Sequence, residues 1–134
     1  MTPHCRLSSA RFIIPIELYN RDLYVSLGES DERFAQGLSR YKDAAFVAGA
    51  LKHMKVPMEP GHGRFGLNNG FYILRMGVFP QTSQDYGILQ HEVFHCVETM
   101  LHASGMKHSL KHSSEAYAYF VQYLTTQLYN RLWA

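Results

Sequence analysis

"GILQHEVFHCVETMLHASG", residues 87–105, holds two histidines four positions apart, with a glutamate directly after the first. Together with the preceding "QTSQDY", residues 81–86, the stretch reads as one long helix. Gly105 suits a left-handed C-terminal cap. In a helix, residues i and i+4 project from one face a turn apart. His91 and His95 can therefore bring two imidazole nitrogens to one zinc ion. Glu92 is displaced by about 100° around the axis. From there it can reach a water without binding the metal itself, as a general base must. The competing reading is a His-rich amphipathic helix, since the chain has eight histidines and several fall between His91 and His112.

A catalytic zinc site needs a third protein ligand and an open fourth position. His102 shares the helix face but lies seven residues beyond His95, about 10 Å along the axis. The HExxHxxGxxH pattern breaks its helix at a glycine, and here that position is Glu98. His108 and His112 lie past Gly105, where the chain can turn back. Glu115 opens a further helix, "SSEAYAYFVQYLTTQLYNRLW", with Ser113 or Ser114 as N-cap. An acid there also complements the helix dipole with no metal involved. Two helices joined by "GMKHSLKH" pack antiparallel, so all three residues remain candidates. Glu98, one turn after His95, is placed to hydrogen-bond a ligand imidazole. Tyr119, one turn beyond Glu115, is a candidate oxyanion stabiliser, against its reading as an aromatic of the packed face. Tyr117 forms a core stripe with Val121, Leu124 and Leu128. Cys96 points off the ligand face and reads as a small core residue. Cys5, in "HC" near the start, could cap a metal as a thiolate.

Outward from these helices, "RFIIPIELYNRDLYVSLGES" alternates at Phe12, Ile14 and Ile16 and again at Leu23, Val25 and Leu27. This predicts a hairpin turning at residues 20–22. Pro15 confines its strand to an edge or bulge. "SDERFAQGLSRYKD" predicts a helix from Ser30. "AAFVAGAL" suits strand or helix equally. "KVPMEPGHGRFG" reads as a loop, rich in proline and glycine. An Asn-Gly turn then leads into a strand over Phe71 to Val78. The whole is one α+β domain, 1–134: a small antiparallel or mixed sheet packed on the HExxH helix and a second, C-terminal helix.

HEVFH followed about twenty residues later by the glutamate of "SEAYAY" resembles the gluzincin branch of zinc metallopeptidases, the group containing thermolysin. The likeness covers Gly87 to Leu128. It implies a minimal zincin-like fold, with His91, His95 and Glu115 as zinc ligands and Glu92 as the catalytic glutamate. It also implies an edge strand above the metal helix, where a peptide substrate adds by β-augmentation, and Phe71 to Val78 is the candidate. Thermolysin-like enzymes carry a further domain for which 134 residues leave no room. More broadly, the hairpin start and the HExxH…SEAYAY ending resemble small proteins of phages and prophages. That likeness implies a protein of the bacterial host's cytoplasm or of the virion.

Composition narrows the class. With 46% hydrophobic and 18% charged residues the chain is an ordinary folding sequence. A net charge of +2 with no basic block argues against nucleic acid. Two cysteines make no disulfide framework, no apolar run approaches a membrane span, and the N-terminus is a poor signal peptide. The expectation is thus a zinc-dependent peptidase acting on a peptide or protein. Its rivals are a hydrolase of other amides, and a non-catalytic zincin-fold binding or assembly protein whose zinc is structural.

Overall fold

The computed structural model describes residues 8–68 and 70–133. Strands β1 (Ala10–Ile16) and β2 (Arg21–Leu27) form an antiparallel hairpin, with Ala10 opposite Leu27 and Ile16 opposite Arg21. Its reversal comes earlier than the sequence suggests. A 3₁₀ turn occupies Glu17–Tyr19, and Asn20 alone takes the left-handed conformation, at φ 51°. Asparagine tolerates that region, so Arg21 and Asp22 are released into the strand. Helix α1 (Asp31–Leu38) is capped by Ser30, whose hydroxyl accepts the Arg33 N–H at 3.2 Å. Helix α2 (Ala44–His53) contains the ambiguous "AAFVAGAL". The Asp43 side chain caps it by accepting the Phe46 N–H at 2.9 Å, which settles the segment as helix.

Strands β3 (Gly63–Asn68) and β4 (Phe71–Met76) make a second antiparallel hairpin, and β4 pairs in parallel with β2. The sheet is therefore mixed, in the order β1-β2-β4-β3. This corrects the expected edge strand. The segment from Phe71 is buried at every position of β4 and lies inside the sheet, and the edge is β3, which had read as the tail of a loop. The glycines that suggested a loop serve packing instead. A Cβ on Gly63 would stand 2.9 Å from Ile88 Cγ2, and one on Gly66 would collide with the Met54 sulfur.

Helix α3 (Ser83–Ala103) begins with a capping box between Thr82 and Asp85 and ends at Gly105, φ 85°, as expected of a left-handed cap. Helix α4 (Ser114–Leu132) follows. One sheet face packs Leu23, Val25, Leu74 and Met76 against Leu89, Val93 and Cys96 of α3 and Leu124 and Leu128 of α4. The other packs Tyr24, Phe71 and Ile73 against Phe34 and Leu38 of α1 and Phe46 and Ala50 of α2. The result is an α+β domain of three layers, helices on both sides of a four-stranded sheet. Arg75 ties the second face together. Fully buried on β4, it pairs with Asp31 at 2.9 Å, donates to the carbonyls of Met54 and Glu29, and lies 4.4 Å over the Phe34 ring. Among the described residues no helix is long and apolar enough to cross a membrane.

Candidate functional site

The apolar side of α3 is fixed by the sheet, which forces His91 and His95 outward onto the exposed face. There the two rings meet edge to face, with their Nε2 atoms 3.2 Å apart. Two imidazole nitrogens on one tetrahedral zinc, each about 2.0–2.1 Å from it, stand about 3.3 Å apart. The observed spacing thus fits a shared cation. It equally fits one ring's N–H donating to the other's bare nitrogen. The Nδ1 of His95 lies 3.8 Å from a Glu98 carboxylate oxygen, longer than a hydrogen bond but on the side a supporting carboxylate takes.

Glu92 takes the other direction. Only 6% exposed, its side chain runs along β3, where a Cβ on Gly63 would stand 3.1 Å from its Cγ. Burial raises its pKa above the usual carboxylate range, while the nearby His91, His95 and Arg64 charges and the Phe65 backbone N–H pull it back down. A carboxylate so held is a stronger base than one in water. Phe65 and Gly63 were not foreseen as part of this site. The signal was the alternation of Phe65 and Leu67 just before an Asn-Gly turn, which makes a strand before the turn as well as after it.

The remaining candidates lie elsewhere. Gln90 bonds Thr125 at 3.1 Å, and Trp133 bonds the Tyr86 hydroxyl at 3.0 Å. These contacts set the antiparallel register of α3 and α4. By either contact Glu115 falls beyond the level of His95, towards the C-terminal end of α3. Glu115 is exposed in the first turn of α4. Among the described residues no set of three histidine, cysteine or acidic side chains is gathered at metal-binding distance. His108 packs its ring against Tyr117, 4.8 Å between centroids, and His112 and His102 are exposed. Tyr119, 67% exposed, lines an apolar groove of about 510 Å³ with Ile16, Tyr19 and Tyr123, at the β1 side of the sheet and away from the histidine pair. Tyr117 is core, as its stripe suggested, and its hydroxyl donates to the Met106 carbonyl. Cys96 is fully buried, and burial pushes its thiol pKa up. Cys5 lies outside the described residues. Ser113, one of two expected N-caps, takes the capping position, its carbonyl accepting the Tyr117 N–H at 3.1 Å while its side chain makes no cap bond. Its hydroxyl donates to the Lys107 carbonyl at 2.6 Å and so closes the connecting loop.

No protein-family model, curated protein or solved structure matches the chain.

Proposed function

We propose that this chain is a zinc-dependent hydrolase of peptide bonds, with His91 and His95 as metal ligands, Glu115 as the third and Glu92 as the general base. The observation that carries the reading is the pair of Nε2 atoms at 3.2 Å, adjoining a carboxylate buried against an edge strand. Zinc, when bound, supplies Lewis acidity that polarises a carbonyl and lowers the pKa of water. Glu92, made more basic by burial, accepts the water's proton and returns it to the leaving amine. The Phe65 N–H fixes the carboxylate's direction during both transfers. Strand β3, as the sheet edge nearest Glu92, is where an extended peptide would add a strand. Tyr119 has no part in this mechanism, given its place at the β1 edge of the sheet, whereas Glu92 lies against β3. Glu115 joins the ligand set only if the first turn of α4 moves towards His95.

A second reading has its own observation. The same Glu92–Phe65 contact can serve purely to tie α3 to β3, in a binding or assembly protein. Metal analysis and peptide-library cleavage decide between them, using wild type, Glu92→Gln and His91→Ala. The hydrolase reading expects about one zinc per chain, lost in His91→Ala. It expects Glu92→Gln to keep the metal while activity falls at least about 100-fold. Glu115→Ala should weaken the metal more than His108→Ala or His112→Ala does. Absence of zinc, or full activity in Glu92→Gln, sinks the reading.

A further inference from the structure

Helix α4 carries Ala116, Tyr119, Phe120 and Tyr123 on one face, three and four positions apart, and all four line the groove of about 510 Å³ beside the turn at Glu17–Tyr19. The floor is apolar and closed, since Ile16 and Phe120 are 2% and 7% exposed. The walls are open to solvent. Tyr119 is 67% exposed, Tyr123 41%, and Tyr19 is half-buried. The core stripe of the same helix, Leu124 and Leu128, is fully buried, so the open rings exceed what packing α4 onto the sheet requires.

Two of the walls are held in place before any ligand arrives. The Phe120 ring lies 5.4 Å from that of Tyr19, tilted by 36°, and 6.4 Å from that of Tyr123. The Tyr123 hydroxyl donates to the Pro15 carbonyl at 3.3 Å, which anchors its far end. Ala116, with only a methyl group, leaves the groove open along the first turn of α4. Glu17 is the one charged residue in the lining, and it is exposed. Arg21, opposite Ile16 across the hairpin, donates to the Asn20 carbonyl at 3.4 Å and does not line the groove.

We propose that this groove binds a small organic ammonium ion with an apolar body, the tyrosine rings surrounding the cation and Glu17 balancing its charge. The face of an aromatic ring is electronegative and attracts a cation held within about 6 Å of its centre. The apolar body gains by leaving water for the floor of Ile16 and Phe120. Sites for small ligands span about 300–1,000 Å³ and are mostly apolar with a few polar groups, as this groove is. A neutral ligand would leave Glu17 unused, and an anion would meet its charge and the ring faces. The site is separate from His91 and His95 and stands whether or not the chain is a hydrolase.

Three probes that share one aromatic body and differ in charge test it: benzyltrimethylammonium, benzyl alcohol and benzoate, titrated at low salt and followed by amide NMR shifts. Saturable shifts are expected with the cation, within residues 16–19 and 116–123. Affinity for the alcohol should be about fivefold lower or less still, and benzoate should not bind there. Glu17→Gln should lower affinity for the cation by about two- to fivefold and leave that for the alcohol unchanged. Tyr119→Leu keeps apolar bulk at an exposed position but removes the ring face, and should also cost about two- to fivefold for the cation. His91→Ala should bind the cation as wild type does. No saturable shifts in those segments, equal affinity for alcohol or benzoate, or unchanged affinity for the cation in either groove variant overturns the proposal.

Discussion

Strand β1 closes one side of the sheet with two of its carbonyls accepting side-chain hydrogen bonds, whereas β3 closes the other with a backbone N–H directed to a buried carboxylate. On β1, Pro15 has no N–H to offer, its carbonyl accepts from the Tyr123 hydroxyl at 3.3 Å, and Arg131 donates to the Ile13 carbonyl at 3.3 Å. An edge treated this way is a poor template for another strand. On β3, glycines at 63 and 66 let α3 and the end of α2 approach closely, and the Phe65 N–H is directed to Glu92. One edge is built to refuse partners, and the other is built around a chemical group.

The sharpest way to break this contrast is Gly63→Val. Its Cβ would enter at 2.9 Å from Ile88 Cγ2 and 3.1 Å from Glu92 Cγ, in a place where the helix cannot retreat without unpacking Leu89 and Val93. Overpacking of this kind costs about 1–3 kcal/mol. Urea denaturation should show a loss in that range. A variant as stable as wild type would mean that α3 and β3 are not in the close contact described.

Glu92→Ala has a smaller and more local effect. Removing the acceptor leaves the Phe65 N–H to solvent, so amide exchange within residues 63–68 should speed up by about tenfold or more. Glu92→Gln keeps an acceptor oxygen and should largely preserve protection. Exchange measured by mass spectrometry checks both, with the β1 segment as internal reference. If β3 exchanges alike in the alanine and glutamine variants, Glu92 does not hold that edge.

What could be read beforehand follows the range of the interactions involved. The two-histidine face, the capped end at Gly105 and the edge character forced by Pro15 are local, decided within a turn or a strand, and the structure has all three. Strand β3 was hidden because Gly63 and Gly66 look like loop residues until Ile88, Glu92 and Met54 are packed on them. The position of Glu115 was equally out of reach. It depends on which residue of α4 faces which of α3, and that register rests on contacts such as Gln90 with Thr125, thirty-five positions apart. Tyr119 fails to join the histidines for a related reason, because α4 leans on β1 and carries that side of the helix towards Tyr19 and Ile16.

The least costly change lies on β1 and sharpens the contrast from the other side. Tyr123→Phe and Arg131→Gln each remove one long, exposed hydrogen bond, so each should cost no more than about 0.5 kcal/mol. The Arg131 guanidinium also lies 5.3 Å from the Phe12 ring, and losing that contact adds a few tenths at most. Together the two changes bare the carbonyls of Ile13 and Pro15 but leave the edge without an N–H at Pro15. The double variant should therefore keep the oligomeric state of wild type in light scattering. Adding Pro15→Thr supplies the missing N–H beside two uncovered carbonyls, which makes a pairing-competent edge. The triple variant alone should associate as concentration rises. Association already in the double variant would show that Tyr123 and Arg131, rather than Pro15, guard the strand. A triple variant that behaves as wild type would mean that this edge needs no guarding at all.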